Sequence, residues 1–304
     1  MAAANNTIEE KIQVLKKAKN AVILVHNYQR GEVQDIADFV GDSLELSQKA
    51  AHTKADVIVF CGVHFMAETA SILNPNKKVL LPDANAGCPM ADMITAEQLR
   101  QKKAQMPGVT VVTYINSSAA VKAESDYCCT SANGVRVVQS IESENILFVP
   151  DQYLGDFIIK KTGKKMALWP GYCPTHMRVL PADILKRKKE HPGAKVVVHP
   201  ECRPDVHAVA DEILSTSGMI RYAARPEIEE LIVGTEVEIL HRMRKENPDK
   251  QFYPVSDKVS CPNMKKITLD KVLISLETMT PEVKVPEEIR VKAKACVDRM
   301  LATG

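Results

Sequence analysis

Val22-Ile-Leu-Val-His-Asn-Tyr28 opens a pattern that returns twice, as Val109-Thr-Val-Val112 leading to Tyr114-Ile115-Asn116 and as Val196-Val-Val198 leading to His199-Pro200-Glu201. A continuous apolar, β-branched run reads as a parallel strand covered on both faces, whereas alternation would mark a strand with one wet face. A helical stretch is expected after each turn, around 32–40, 119–125 and 205–214. Each ends in a hydroxyl-bearing segment: Asp42-Ser43, Thr130-Ser131 and Ser215-Thr216. The second half of the pattern repeats as well. Val57-Ile-Val-Phe60, Ile146-Leu-Phe-Val149 and Leu231-Ile-Val233 read as strands that lead into helices. Those helices stop at Asn74-Pro75-Asn76-Lys77, Thr162-Gly163-Lys164 and Asn247-Pro248-Asp249-Lys250, where Pro or Gly breaks them. A last short strand then runs into a proline, at Val79-Leu-Leu-Pro82, 166–170 and Phe252-Tyr253-Pro254. Cys88-Pro89, Cys173-Pro174 and Cys261-Pro262 follow.

Alternating strands and helices imply parallel sheets covered on both faces, with right-handed crossovers. The expected fold is therefore α/β, built as three three-layer αβα units related by a pseudo-threefold axis around a central active site. The first unit is expected over 1–95, the second over 96–176 and the third over 177–266. The segment 267–304 reads as two short amphipathic helices packing back on the first unit. In open α/β sheets ligands bind beyond the carboxyl ends of the strands. The polar turns, the hydroxyl pairs and the Cys-Pro loops all belong to that edge, so merging three such edges gives one central pocket.

Composition narrows the chemistry. The formal charge of +2 arises from 40 basic and 38 acidic residues, so no basic excess points to nucleic acid. Lysine clusters at 160–165 and 186–189 read as solvated faces. No apolar run reaches the ~18 residues a membrane span needs, and no signal peptide is recognisable. Eight cysteines in such a chain point to reduced thiols in metal or catalytic use, with the cytoplasm as the expected compartment. Thiolates select zinc, copper(I) or iron–sulfur clusters over hard cations. Three, Cys88, Cys173 and Cys261, share one repeat position, and three ligands rather than four would leave a coordination position open. Cys202, beside Glu201, is the main alternative ligand. Cys61, the adjacent Cys128-Cys129 and Cys296 read as structural thiols. A zinc hydrolase using the three cysteines with His176, or a non-catalytic iron–sulfur redox sensor, are the rival readings. The sensor would need no wall of His, Tyr, Glu and Ser, and zinc sites usually take closely spaced ligands.

At this point the chain resembles the quinolinate synthase family, iron–sulfur enzymes of NAD biosynthesis. The first motifs that carry the likeness are His26-Asn-Tyr-Gln29, Gly41-Asp-Ser43, Pro82-Asp83 with Ala86-Gly-Cys-Pro-Met-Ala-Asp92, Tyr114-Ile-Asn116 and Cys129-Thr-Ser-Ala-Asn133. Trp169-Pro-Gly-Tyr-Cys-Pro-Thr-His176, His199-Pro-Glu-Cys202, Ser215-Thr-Ser-Gly218 and Cys261-Pro-Asn-Met-Lys-Lys266 complete it. The resemblance implies a [4Fe-4S] cluster held by Cys88, Cys173 and Cys261. It implies a transferase that condenses iminoaspartate with dihydroxyacetone phosphate to quinolinate, releasing phosphate and water, and an upstream enzyme that supplies iminoaspartate. A homodimer is compatible with it. Some family members carry a C-terminal Cys-x-x-Cys pair, whereas this chain has Cys296 alone there.

With the resemblance, roles can be assigned as expectations. Glu201 is the expected general base, with a pKa raised by desolvation. Tyr28 and His26 would position the triose and exchange its protons, while His199 and His176 would hydrogen-bond an anionic intermediate. Ser43, Tyr114, Asn116, Ser131, Ser215 and Thr216 would hold carboxylates and phosphate, although each hydroxyl is also a common helix cap.

Overall fold

The computed structural model describes residues 7–303. The first unit runs α1 (Ile8–Ala18), β1 (Ala21–His26), α2 (Gly31–Asp35), β2 (Phe39–Gly41), α3 (Ser43–His52), β3 (Val57–Cys61), α4 (His64–Leu73) and β4 (Lys78–Leu80). The second repeats this as α5 (Ala96–Ala104), β5 (Thr110–Tyr114), α6 (Ala119–Ala123), β6 (Tyr127–Cys129), α7 (Gly134–Gln139), β7 (Ile146–Val149), α8 (Gln152–Thr162) and β8 (Ala167–Leu168). The third follows as α9 (Pro181–Glu190), β9 (Lys195–Val198), α10 (Pro204–His207), β10 (Glu212–Ile213), α11 (Thr216–Ala223), β11 (Glu230–Gly234), α12 (Ile239–Glu246) and β12 (Gln251–Pro254). All three sheets are parallel and have one strand order, β2-β1-β3-β4, β6-β5-β7-β8 and β10-β9-β11-β12. The α/β class with three αβα units is thus what the apolar runs require. β3 and β7 are buried at every position, as a strand covered on both faces must be.

Each sheet has four strands, not the three expected. The helices foreseen over 32–40 and 205–214 stop at Asp35 and His207, and the chain then forms β2 and β10. The hydroxyl pairs accordingly lie at or just before the next helix, α3, α7 or α11, instead of closing the previous one. Strands of two or three residues are too short to show a period. Their register is set by an aspartate fifteen residues after a residue of the first strand. Asp38, Asp126 and Asp211 each accept a backbone N–H, from Ile23, Val111 and Val196, at 2.8, 2.8 and 2.7 Å. Their own amides return to the carbonyls of those same residues. A second triplicated device sits in the turns that end the second-half helices. Lys77, Lys164 and Lys250 each donate to carbonyls at or just beyond the ends of α3, α7 and α11, those of Thr53 and Ala55, of Ile141, and of Ala223 and Arg225. A cation there satisfies orphan carbonyls and complements the helix dipole.

The cysteine loops are equally alike. The amides of His64, Gln152 and Val237 donate to the carbonyls two residues before each cysteine, at Ala86, Gly171 and Val259, over 2.7, 2.9 and 3.0 Å. One turn of 3₁₀ helix follows each cysteine, at Ala91–Met93, His176–Arg178 and Met264–Lys266. Gly171 is required in its loop because any side chain there would collide with the Pro150 carbonyl oxygen.

Two helices complete the chain, α13 (Leu269–Thr278) and α14 (Glu287–Ala302). α13 lies on α1 of the first unit. The sixteen-residue α14 lies mainly on α6 and β6 of the second, with further contacts to α3 and α4, so this segment joins two units. Among the described residues no helix is long and apolar enough to cross a membrane.

Candidate active site

The carboxyl ends of the three sheets face one cavity. The backbone first delivers three equivalent turns. His26 ends β1, and its Nδ1 accepts the amide of Tyr28 at 3.1 Å. His199 follows β9, and its Nδ1 accepts the amide of Glu201 at 3.3 Å. Tyr114 ends β5 and is followed by Asn116, whose buried Oδ1 has no partner among the described residues and can receive a donor from a ligand. An imidazole whose Nδ1 accepts carries its proton on Nε2. In His199 that Nε2 lies 3.2 Å from Ser131 Oγ. Burial drives the pKa of His26 and of His199 down to about 3, against the pull of Glu201, so both rings are neutral at pH 7.

Glu201 is the charged centre of this wall. It is 3% exposed. Tyr114 Oη donates to its Oε1 over 2.5 Å, and His176 Nδ1 lies 2.8 Å from its Oε2 without the alignment of a hydrogen bond. Burial alone would raise its pKa. Its closeness to the His176 and His199 imidazoles, with the Tyr114 hydrogen bond, outweighs that and holds the carboxyl below its ordinary range. The expected upward shift of Glu201 is therefore reversed, because His176 and Tyr114, which add to the effect of His199 in the same turn, come from distant chain segments that the local sequence does not show. His176 stacks on His199, with centroids 4.6 Å apart. Its Nε2 meets Thr235 Oγ1 at 2.8 Å, and Thr235 meets Tyr28 Oη at 2.5 Å. A continuous polar chain thus runs Tyr28–Thr235–His176–Glu201–Tyr114. Burial raises both phenol pKa values well above 10, which keeps both hydroxyls protonated.

Ser43 and Thr216 open α3 and α11 and line the cavity, as does Ser131 before α7. Thr216 Oγ1 accepts from Asn27 Nδ2 at 3.2 Å. Ser215 does not reach the wall. It is the N-cap of α11, and its Oγ accepts the Gly218 amide at 3.2 Å. Val63, Phe65 and Met66 add apolar surface to the lining.

Cys88, Cys173 and Cys261 all line this cavity, while Cys61, Cys128, Cys129, Cys202 and Cys296 are buried away from it. Cys202, the alternative ligand, turns its sulfur toward the Gly234 carbonyl at 3.7 Å. The three lining thiols suit a soft metal centre. Burial pushes Cys88 up to about 12 and Cys173 higher than an ordinary thiol, so these sulfurs keep their protons unless a cation displaces them. Donor atoms of Cys173, His176 and Glu201 also lie within 4.8 Å of one another, a second grouping able to hold a metal ion.

Thr235 and the apolar surface escaped the sequence reading, which places Asp42 at this edge without a role of its own. Thr235 follows β11 at the same carboxyl edge as the turns that were recognised, and applying that rule to the third strand of each unit would have found it. Asp42, the N-cap of α3, lines the cavity with its Oδ2 unpartnered and its pKa raised by burial.

A family model described as "Quinolinate synthetase A protein" matches residues 10–302. Proteins named quinolinate synthase are similar along nearly the whole chain. That of Dehalococcoides mccartyi (strain CBDB1) is 62% identical over 294 residues, covering 97% of each chain. That of Geobacter metallireducens is 57% identical over 298 residues, covering 98% of each. Quinolinate synthase 2 of Methanosarcina acetivorans is 56% identical over 297 residues, covering 98% of this chain and 96% of its own.

Proposed function

Because the chain belongs to the quinolinate synthetase A family, we propose that its cavity condenses iminoaspartate with dihydroxyacetone phosphate to quinolinate, releasing phosphate and water. The observation that carries this reading is convergence. Three thiols from equivalent loops and polar side chains from all three sheets line one cavity. Cys88, Cys173 and Cys261 would hold a [4Fe-4S] cluster, which when bound supplies an open iron that polarises a substrate oxygen or nitrogen as a Lewis acid.

The chain's own residues account for the rest. Ser43, Ser131 and Thr216 offer hydroxyl donors to carboxylates and phosphate, Asn116 Oδ1 accepts from a substrate N–H or O–H, and the N-termini of α3 and α11 add positive potential. Tyr28 and the Nε2–H of His26 face the triose. A proton leaving or reaching Tyr28 Oη can pass through Thr235 to His176, and ionised Glu201 stabilises the resulting imidazolium. Glu201 is thus a base that works through His176. The apolar surface excludes water from the dehydration steps. The same reading places the enzyme in NAD biosynthesis in the cytoplasm, downstream of an iminoaspartate-producing enzyme, with Ser215 acting through α11 and a homodimer as the assembly.

The test is anaerobic purification followed by an assay for quinolinate from dihydroxyacetone phosphate and an iminoaspartate source. A brown protein with about four irons per chain and quinolinate output supports the reading. A colourless protein that binds zinc and forms no quinolinate overturns it. Changing Cys88, Cys173 or Cys261 to Ala should abolish iron binding, whereas Cys128→Ala should leave it intact.

A further inference from the structure

The three cysteine loops share a scaffold but differ in anchorage. In each unit, the residue just before the amide that ties the loop is Val63, Asp151 or Glu236. Val63 faces the cavity. Asp151 spends its Oδ1 capping α8, on the amides of Tyr153 and Leu154. Glu236 alone reaches a cysteine. Its Oε1 accepts the Cys261 amide at 3.0 Å, and its Oε2 accepts the Glu238 amide at 2.9 Å.

That carboxylate has no exposed side-chain surface, and its counter-ion is Lys265, 14% exposed, with Nζ 2.8 Å from Oε1. Lys265 Nζ also donates to the carbonyl of Tyr28 at 2.5 Å, and the Lys265 carbonyl accepts from Arg30 Nε at 3.0 Å. One ammonium therefore joins the carboxylate seated on the Cys261 amide to the backbone of the tyrosine turn, which belongs to another sheet. A buried ion pair is a poor source of net stability but a strong source of geometric constraint, since neither charge tolerates loss of the other.

We propose that Glu236 and Lys265 form a clasp that positions Cys261 as a cluster ligand and keeps the Tyr28 turn in register with it. Both are positioning residues, and the proposal rests on the cluster reading given above. It places one fixed positive and one fixed negative charge beside a single corner of the centre. Among the described residues Cys88 and Cys173 have no equivalent pair.

The experiment compares Lys265→Met, Lys265→Arg, Glu236→Gln and the double variant Glu236→Gln/Lys265→Met with the parent, all purified anaerobically. In the iron-loaded proteins the midpoint potential is measured. Lys265→Met should move it negative, Glu236→Gln should move it positive, and the double variant should return toward the parent. A general loosening would move all of them one way. In the iron-free proteins, alkylation of each cysteine is followed by mass spectrometry. Lys265→Met should speed labelling of Cys261 about tenfold, with Cys88 and Cys173 within about twofold of the parent and Lys265→Arg close to normal. If Lys265→Met does not fold, the double variant, which leaves no unpaired charge, carries the alkylation comparison. Uniform labelling of the three cysteines across the variants, or potentials shifted alike, overturns the clasp. A parent protein that takes up no iron would sink the functional reading instead, and the alkylation comparison would still decide the clasp.

Discussion

The turn after β1 and the turn after β9 are one piece of backbone carrying two different acids. In both, a histidine at the strand end accepts the amide two residues on through Nδ1, at 3.1 and 3.3 Å, and burial keeps both rings neutral. The residue that donates that amide is a phenol in one turn and a carboxylate in the other, Tyr28 and Glu201. They approach the same imidazole from its two nitrogens, Glu201 at Nδ1 of His176 directly and Tyr28 at Nε2 through Thr235. Repetition fixed where the two side chains stand, and divergence at one position set their proton affinities far apart. The third copy has Asn116 in place of an acid at that position, and its Oδ1 keeps no partner among the described residues.

The comparison breaks most severely at the carboxylate. Glu201→Gln removes the charge facing His176 and Tyr114 while keeping the volume, and should lower quinolinate formation by between about 10² and 10⁴-fold, the usual weight of a positioned base. Iron content should stay at the parent level, and a variant with full output would show that Glu201 has no such role. Tyr28→Phe deletes the phenol from the other end of the chain and should cost less, about 10- to 100-fold in kcat, because His176 and Glu201 remain. Thr235→Val cuts the link between them with both acids in place. A loss of about tenfold, equivalent to ~1.4 kcal/mol, is expected in kcat with KM nearly unchanged. Equal rates for Thr235→Val and the parent would mean that Tyr28 exchanges its proton elsewhere.

Much of this could be read from the sequence because its signals were chemical and repeated. Three Cys-Pro dipeptides, three β-branched runs and three Pro- or Gly-broken turns give the units and the cavity without any contact being known. What stayed hidden depends on pairing across the chain. β2, β6 and β10 are too short to show a period, and the aspartates that register them matter only once Asp38 is seen on the amide of Ile23. Ser215 and Thr216 are adjacent and look interchangeable, yet one caps α11 and the other lines the cavity, because a helix start turns consecutive side chains in different directions. The direction of the Glu201 shift hung on Tyr114 and His176, which lie in other sheets and loops.

The smallest effect tests whether the two turns are also equal electrostatically. An unfolded histidine titrates near 6.5, whereas His26 and His199 in the fold titrate at about 3. Above pH 6.5 both states are neutral and neither ring affects stability. As the pH falls below that value the unfolded chain takes up protons that the buried rings refuse, so stability is lost progressively from pH 6.5 toward 3. Each ring contributes at most about 1.4 kcal/mol per pH unit. Glu201 has a folded pKa below its ordinary 4.5, so its own contribution is kept above 4.5 and is lost only in stronger acid. Between pH 6.5 and 5 the difference between parent and variant therefore isolates the histidine. His26→Asn and His199→Asn retain an acceptor for the turn amide, and each should flatten the fall of melting temperature over that range by the same amount. Unequal slopes would mean that the carboxylate beside His199 lets its ring protonate in the folded state, and the two turns would then match in backbone only.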